Sequence, residues 1–170
     1  KKISKNWLEL SELNNYTNLF QHPLWQYAWW RTMGRNKTIK FILAEADSQI
    51  VGIMPLVTYK TSLRNGMCRL LTFSGETQSD HNDLIVNSSH SGKVIDLFNS
   101  ELKTLSQSVD IIHLNNFPKE SSISELELFN KKEIKKTSQK SPYLLLEKTF
   151  SKYDGIWKKS HRTDIQRQIR

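Results

Sequence analysis

Phe20-Gln-His-Pro-Leu-Trp-Gln-Tyr-Ala-Trp-Trp-Arg-Thr-Met-Gly34 is the most informative stretch of this 170-residue chain, because it places three of the five tryptophans within six residues. Pro23 suits the first turn of a helix, where a missing N–H costs nothing, and Gly34 suits a left-handed residue just past the helix end. Five apolar residues recur at helical spacing between them: Leu24, Trp25, Ala28, Trp29 and Met33. The stretch therefore predicts a core helix over 23–33. Tyr27 and Trp30 do not lie on this apolar face. The side of the helix that carries them is therefore either packed between other elements or exposed for a partner to bind.

The composition excludes several classes of protein. Hydrophobic residues make up 37% and charged residues 25% of the chain, a balance typical of a soluble domain with its own core. The longest apolar run, near 53–57, is too short to span a membrane, and no signal-peptide pattern opens the chain. The single cysteine, Cys68, excludes an internal disulfide and fits the cytoplasm. The five histidines are never three or four residues apart, so no zinc spacing exists.

The formal net charge of +8 raises the question of a nucleic-acid partner. Half of that excess lies in the last 20 residues, which carry six cationic and two acidic side chains. A joining helix explains this basic segment more simply than a nucleic-acid or membrane-surface site, because only Tyr153 and Trp157 are interleaved with its charges. A second cluster, the lysines at 131, 132, 135 and 136, is interpreted as a solvated surface rather than an anion patch. Nucleic acid is therefore not the expected partner.

The order of predicted elements indicates a mixed α/β architecture. Helices are predicted over 7–13, 23–33, 92–105, 123–129, 151–157 and from 160 onward, and strands over 39–46, 50–59, 69–73, 83–86, 109–114, 134–137 and 143–147. The strands over 50–59 and 109–114 are predicted to be buried. Pro55 cannot donate a hydrogen bond to a neighbouring strand, so a bulge, a splay or a sheet edge is expected there. Asp47-Ser48 and Asn65-Gly66 predict tight turns, and 74–82 a polar loop.

The C-terminal segment allows two interpretations. Ser160 can cap a helix, and no glycine or proline ends that helix before Arg170. The segment is then either a frayed basic tail or, as we favour, the start of a helix that leads into a further domain. This gives a domain over 1–150 followed by a basic helix over 151–170.

The opening motif Phe20-x-His-Pro-x-Trp-x-x-Ala-Trp-Trp-Arg-x-x-Gly34 resembles that of the CelD-like acyltransferases, which belong to the GNAT superfamily of N-acetyltransferases. Further landmarks follow in the family's order: Ile50-Val-Gly-Ile-Met-Pro-Leu56, Arg69-Leu-Leu-x-Phe-x-Gly75, Ser79-Asp-His-Asn-Asp-Leu-Ile-Val86, Ile111-x-x-Leu-Asn-Asn-Phe-Pro118, and the basic segment from Trp157 to Arg170. His81 stands where the family usually has tyrosine. The match covers nearly the whole chain, and its strength lies in six motifs occurring in register.

The resemblance implies a GNAT-like α/β fold with a mainly antiparallel sheet flanked by helices. It also implies two tandem GNAT-like halves in a bacterial protein, of which this chain is the N-terminal one, and the chain's expected partner is the second half. The family reaction moves an acyl group from acetyl-CoA or another acyl-CoA to an amine or hydroxyl of a small-molecule or saccharide acceptor, in polysaccharide or cell-envelope metabolism. The acyl-CoA site is expected in the second half.

The loop after the third strand bears on donor binding. A GNAT domain holds the CoA pyrophosphate on backbone N–H groups at a helix N-terminus, after a glycine-rich loop. The equivalent segment here, 74–83, has one glycine and three acidic residues, Glu76, Asp80 and Asp83. Because this charge would repel a pyrophosphate, we predict that this domain alone binds acetyl-CoA poorly and holds no cofactor.

His81 and Asp83 of the same loop are the catalytic candidates, and Asp80 is a candidate for substrate binding. Asp80, His81 and Asp83 would place a carboxylate beside an imidazole, as a general base for an amine or hydroxyl requires. The competing interpretation, which we favour, is that Asp80 and Asp83 cap turns.

Three further residues are candidates for substrate binding. Asn115 and Asn116 end a strand where α/β sheets bind ligands, so they either contact a substrate or form a turn. Arg31 would bind an anion or pair with a nearby carboxylate. The remaining alternative is a non-catalytic scaffold domain with an exposed apolar surface, for which self-association is expected.

Overall fold

A computed structural model describes residues 2–13, 18–64, 66–127 and 167 of the chain. The chain divides into two compact units, 1–134 and 135–170, and every element discussed below belongs to the first. The elements predicted beyond residue 127 lie outside the described residues, as does the boundary at residue 150. Arg167, which is described, is helical.

The described elements form a mixed α/β fold, as predicted. Three helices are α1 (Lys2–Leu13), α2 (Pro23–Thr32) and α3 (Ser91–Ser106); the strands are β1 (Thr38–Ile39), β2 (Ile42–Ala46), β3 (Gln49–Met54), β4 (Leu56–Leu63), β5 (Gly66–Phe73), β6 (Ile85–Val86) and β7 (Ile111–His113). One sheet has the order β2-β3-β6 and the other β1-β4-β5-β7. All strand pairs are antiparallel except β5 with β7. The predicted class, a mainly antiparallel sheet arrangement flanked by helices, is confirmed.

Pro55 divides the two sheets. Residues on its N-terminal side pair with β2 (Ile42 opposite Met54), whereas residues on its C-terminal side pair with β1 (Ile39 opposite Val57). Its carbonyl accepts the backbone N–H of Ser74 at 2.8 Å. Because proline has no N–H to continue a ladder, the strand is interrupted here and the sheet splays. The prediction for this position is confirmed.

Helices cover both faces of the three-stranded sheet. Gly52 of β3 faces α3, since a Cβ at this position would collide with Val94. The next residue, Ile53, packs in a cluster with Trp7 and Leu10 of α1. Successive residues of a strand point to opposite faces, so α1 and α3 lie on opposite sides. The main core forms where Phe98 and its neighbours on α3 meet the sheets.

Helix α3 is also the crossover between the parallel strands β5 and β7, which pair from Leu70–Ile111 to Thr72–His113. The prediction of a buried strand over 109–114 is wrong in its extent and burial. Only Ile111–His113 is strand, and Ile111 is 37% exposed. Among the described strands, β7 pairs on one side only, with β5, and this leaves its side chains partly open.

Helix α2 has the predicted extent but buries a different face. His22 caps it, its Nδ1 accepting the N–H of Leu24, and Pro23 opens the first turn. The buried residues are Pro23, Gln26 and Trp29, whereas Leu24 is 68% and Met33 60% exposed. The predicted apolar face is therefore confirmed at Trp29, which is buried, and wrong at Leu24, Ala28 and Met33, which are exposed, because α2 packs against a polar loop.

The glycine after α2 also corrects a prediction. Gly34 does not have positive φ, so it is not a left-handed cap. It is buried, and a Cβ here would lie 2.8 Å from the Cα of Trp30. Glycine is therefore required by close packing against the helix it follows.

Two further predicted elements, over 83–86 and 123–129, are shorter in the structure than predicted. The strand predicted over 83–86 is confined to β6 at Ile85–Val86. The helix predicted over 123–129 is a single 3-10 turn, Ser122–Glu125, opened by Ser121, whose hydroxyl accepts the N–H of Ile123. Residues 128 and 129 lie outside the described region.

Candidate functional site

The parallel strands β5 and β7 diverge after Thr72 and His113, the last pair in register. Open α/β sheets bind ligands in the crevice where strands separate at their carboxyl ends. In this protein the crevice lies beside residues 74–83, which we call the crevice loop. It contains a 3-10 turn at Glu76–Gln78.

The crevice loop is bonded directly to the end of β7. The backbone N–H of Asn82 donates to the carbonyl of Asn116 at 2.8 Å, and its side-chain amide donates to the carbonyl of Asn115 at 3.1 Å. In return, the amide of Asn116 donates to the carbonyl of Ser79 at 2.9 Å. Asn116 holds a left-handed φ of 55°, a conformation that asparagine tolerates. Both predicted asparagines thus serve the loop here, and their role toward a substrate stays a prediction.

The carboxylate of Asp83 is engaged inside the fold. It accepts the hydroxyl of Ser121 and the backbone N–H of Leu84, the latter at 2.7 Å. Burial raises the pKa of this carboxyl above its ordinary value, and the two hydrogen bonds partly oppose that rise. The side chain is therefore a buried acceptor that fastens the end of the crevice loop to the turn at residue 121.

The second catalytic candidate, His81, and the substrate-binding candidate Asp80 lie on the surface. Asp80 and His81 are exposed, and the ring of His81 lies 6.5 Å from that of Phe20, centroid to centroid. Within the described part of the chain, no hydrogen bond or ion pair joins His81 to Asp80 or Asp83. The structure thus does not bring the three together as a carboxylate–imidazole pair, and their catalytic role stays a prediction.

The buried face of α2 holds the other side of the loop. The hydroxyl of Ser74 donates to Oε1 of Gln26, whose amide donates to the carbonyl of Phe20 at 2.8 Å. The indole N–H of Trp29 donates to Oε1 of Gln78 at 3.1 Å. Sequence reasoning missed Gln26 and Gln78. A usable signal was the polar Gln26 one helical turn before a tryptophan, since a glutamine on a buried face requires partners.

Gly75 permits the close contact between helix and loop. Its φ is +106°, and an added Cβ would lie 3.1 Å from the ring of Trp25 and would collide with the hydroxyl of Ser79. Glycine alone adopts this backbone without strain.

An ion pair secures the next residue of the loop. Nζ of Lys37 lies 2.8 Å from Oε1 of Glu76, with side-chain exposures of 15% and 17%, and 3.4 Å from the ring centroid of Tyr59. The pKa of Tyr59 is raised, first by burial and then by the charge and hydrogen bond of Glu76. Glu76 itself has a positive φ of 43°, which the pair holds in place.

These contacts change the electrostatic argument about the loop. Lys37 balances the charge of Glu76, and the carboxyl of Asp83 accepts hydrogen bonds from Ser121 and Leu84 inside the fold. Two of the three acidic side chains of the loop are therefore engaged by the protein, and Asp80 is exposed.

Arg31 lies apart from this site, on the exposed surface of the last turn of α2. Its carbonyl accepts Nε of Arg35 at 2.6 Å, and no carboxylate partner occurs for it among the described residues. The same residues contain no group of three or more metal-ligating side chains. None of the helices described is both long and apolar enough to cross a bilayer.

Comparisons with known proteins give structural neighbours only. An aminoglycoside antibiotic 6'-N-acetyltransferase from Acinetobacter haemolyticus is 14% identical with a TM-score of 0.46, and the match covers 86% of this chain and 94% of that one. A probable acetyltransferase is 10% identical with a TM-score of 0.46, covering 87% and 91%. A tetramutant of the BH1408 protein from Bacillus halodurans is 13% identical with a TM-score of 0.44, covering 85% and 88%. No family model and no curated protein matches the chain.

Two of these three names state acetyltransferase, the activity class that the motif resemblance implies. None of them names the CelD-like family.

Proposed function

We propose that this chain is the N-terminal, GNAT-like half of a CelD-like acyltransferase, and that it contributes an acceptor or scaffold surface rather than the acyl-CoA site. The whole protein would transfer an acyl group from a CoA thioester to an amine or hydroxyl in the cytoplasm. The acceptor class we propose is a small molecule or saccharide of polysaccharide or cell-envelope metabolism, and the partner is a second GNAT-like domain.

The motifs that carry the resemblance coincide with structural junctions, which supports this proposal. Pro23 of the first motif opens α2, and Pro55 of the second divides the two sheets. Asp83 of the fourth fastens the loop to Ser121. Residues that define a fold at such junctions are expected in a domain built on the same plan.

The observation that carries the proposal is that several backbone N–H groups of the crevice loop already have partners within the protein. Pyrophosphate sites in loops depend on free backbone N–H groups that point at the anion. In the crevice loop, the N–H groups of Gln78, Ser79 and Asn82 are already donated to carbonyls of Gly75, Glu76 and Asn116. The N–H of Leu84 is donated to the carboxylate of Asp83.

The path to the next helix gives the same result. The loop does not run directly into α3, because β6 intervenes and pairs with β3. The helix then begins at Ser91, after a separate 3-10 turn at Ser88–His90. A loop and helix end separated in this way do not form one anion cradle, so a donor site is better placed outside this domain.

The test is isothermal titration of acetyl-CoA into this chain and into the full-length product of the gene. We expect no saturable heat with this chain and saturable binding with the full-length protein. Binding by this chain alone would show that the crevice loop opens to receive the donor, and would reject the assignment. Absence of binding by both would reject acyl transfer from CoA.

A non-catalytic interaction domain is the second candidate, favoured by the outer face of α2. Leu24, Tyr27 and Met33 are 59–68% exposed on this helix. Sedimentation of the chain over a range of concentrations tests the self-association expected from such a surface. A monomer at all concentrations would count against it.

A further inference from the structure

A second concave region lies beside the middle of β4 and β5. On one face of the four-stranded sheet, Leu56 lies opposite Phe73 and Thr58 opposite Leu71, and this face packs in the core with α3. Side chains two residues apart on a strand share a face. The next pair on the same face is Lys60 opposite Arg69, where both side chains are exposed.

The part of the sheet around Lys60 and Arg69 borders a groove of about 560 Å³. Its cationic residues are Lys40, Lys60 and Arg69, and its neutral hydrogen-bonding residues include Asn36, Thr38 and Thr58. None of the described lining residues carries a carboxylate. We call Lys40, Lys60 and Arg69 the cationic groove.

The position of these charges is unfavourable for the isolated fold. Lys60 and Arg69 are directly opposite on neighbouring antiparallel strands, where like charges destabilise a sheet. Nη1 of Arg69 donates to the carbonyl of Ser108 at 2.9 Å, which positions the guanidinium without neutralising it. Among the described residues, neither lysine of the groove has an ion-pair partner.

Two carboxylates lie near the groove, and among the described residues neither forms an ion pair with its cations. Glu76 is paired with Lys37. Asp110 accepts the backbone N–H of Arg69 at 2.6 Å and lines an adjoining cavity together with Lys60 and Arg69. Within the described part of the chain, it forms no ion pair with either side chain. The charge of the groove is therefore available to an external anion.

We infer that the cationic groove binds a small polyanion, a molecule carrying two or more adjacent phosphate groups. Lys60 and Arg69 lie on neighbouring strands, and Lys40 directly follows β1, which pairs with β4 on the other side. Lys60 and Arg69 are directly opposite on strands about 4.8 Å apart, whereas Lys40 lies beside Leu56, to whose carbonyl its N–H donates at 2.9 Å. Leu56 is four residues along β4 from Lys60, a separation of about 13 Å at about 3.4 Å per residue. That spread matches a chain of phosphates better than a single one. This inference does not depend on the proposed acyl transfer, because none of the residues 74–83 of the crevice loop lines the groove.

The experiment is titration of inorganic tripolyphosphate into the natural chain and into two double variants of equal net charge. Lys40→Gln/Lys60→Gln removes two cations from the groove. Lys93→Gln/Lys119→Gln removes two exposed cations that do not line it. We expect the groove variant to bind about tenfold more weakly or worse, and the control variant to bind like the natural chain. Rising salt should weaken the binding by the natural chain, because the site is open to solvent.

Three results would overturn the inference. The first is no saturable binding of tripolyphosphate by the natural chain. The second is equal weakening in both double variants, which would indicate general surface attraction. The third is binding of a single-stranded oligonucleotide that depends on Lys40 and Lys60 while tripolyphosphate does not bind, which would assign the groove to nucleic acid. Thermal unfolding of each variant checks that the fold is intact.

Discussion

The backbone N–H of Asn82 donates to the carbonyl of Asn116 across 2.8 Å, and this bond joins the crevice loop to the end of β7. The side-chain amide of Asn82 adds two bonds, to the carbonyls of Asn115 at 3.1 Å and Glu76 at 3.3 Å. One residue thus ties the loop to the strand end and to itself.

We expect Asn82→Ala to lower the free energy of unfolding by about 1–3 kcal/mol, because two partly buried carbonyls lose their donor. Chemical denaturation measures this change. Asn87→Ala is the matched control, since Asn87 makes an exposed bond to the N–H of Ser89. Its expected cost is about 0.5–1 kcal/mol. Equal costs for the two variants would show that the loop is not held by Asn82.

Glycine at position 75 is expected to be far less replaceable than glycine at position 92. Gly75→Ala places a Cβ against Trp25 and Ser79 at a φ of +106°, so a cost of about 2–4 kcal/mol is expected. Gly92 lies in α3 with nothing within 4 Å of an added Cβ. Gly92→Ala should therefore stabilise the protein by about 0.5–1 kcal/mol. The two melting temperatures should shift in opposite directions, and a shift in the same direction would contradict the description of the loop.

The titration of Tyr59 should report on Glu76. Burial and the Glu76 carboxylate both raise the pKa of this tyrosine above its ordinary value of 10.0. Glu76→Gln removes the charge, so the pKa of Tyr59 should fall. NMR of labelled tyrosine resolves this residue from the other four. Glu125→Gln, a change at an exposed site, should leave it in place.

The pH dependence of stability should carry a contribution from Asp83. Its folded-state pKa is raised above 3.8, so the folded chain holds this proton more tightly than the unfolded chain. Between 3.8 and the folded-state pKa, the unfolded chain binds fewer protons, and stability therefore falls as pH rises through that window. Asp83→Asn keeps an oxygen to accept from Ser121 and Leu84 but cannot ionise. The variant should gain stability relative to the natural chain as pH rises, and a constant difference across the window would contradict this.

Local chemistry in the sequence was sufficient for the elements whose cause is local. Pro23 begins α2 and Pro55 interrupts its strand, because the geometry of proline does not depend on distant partners. The turn at Asp47-Ser48 has φ values of 50° and 62°, which short polar residues tolerate. The helix predicted over 92–105 likewise agrees with α3 to within one residue at each end.

The candidate site was predicted only in part, because its contacts join distant positions. The pattern located the crevice loop and drew attention to Asp83, Asn115 and Asn116, all of which make bonds there. It did not find Gln26, whose partner Ser74 is 48 residues away. Its pairing of His81 with a carboxylate is not present among the described contacts.

The sequence by itself thus determined where a tight turn forms, where a strand is interrupted and where a helix forms. These properties follow from the dihedral preferences and spacing of neighbouring residues. Only the tertiary structure decided which faces are covered. Trp29 is buried and Leu24 exposed on the same helix because a polar loop happens to lie against one side. Lys60 meets Arg69 only through strand register. Burial and the proximity of charges depend on segments that are distant in the sequence. Periodicity along the chain carries no information about which distant segment packs against a given face.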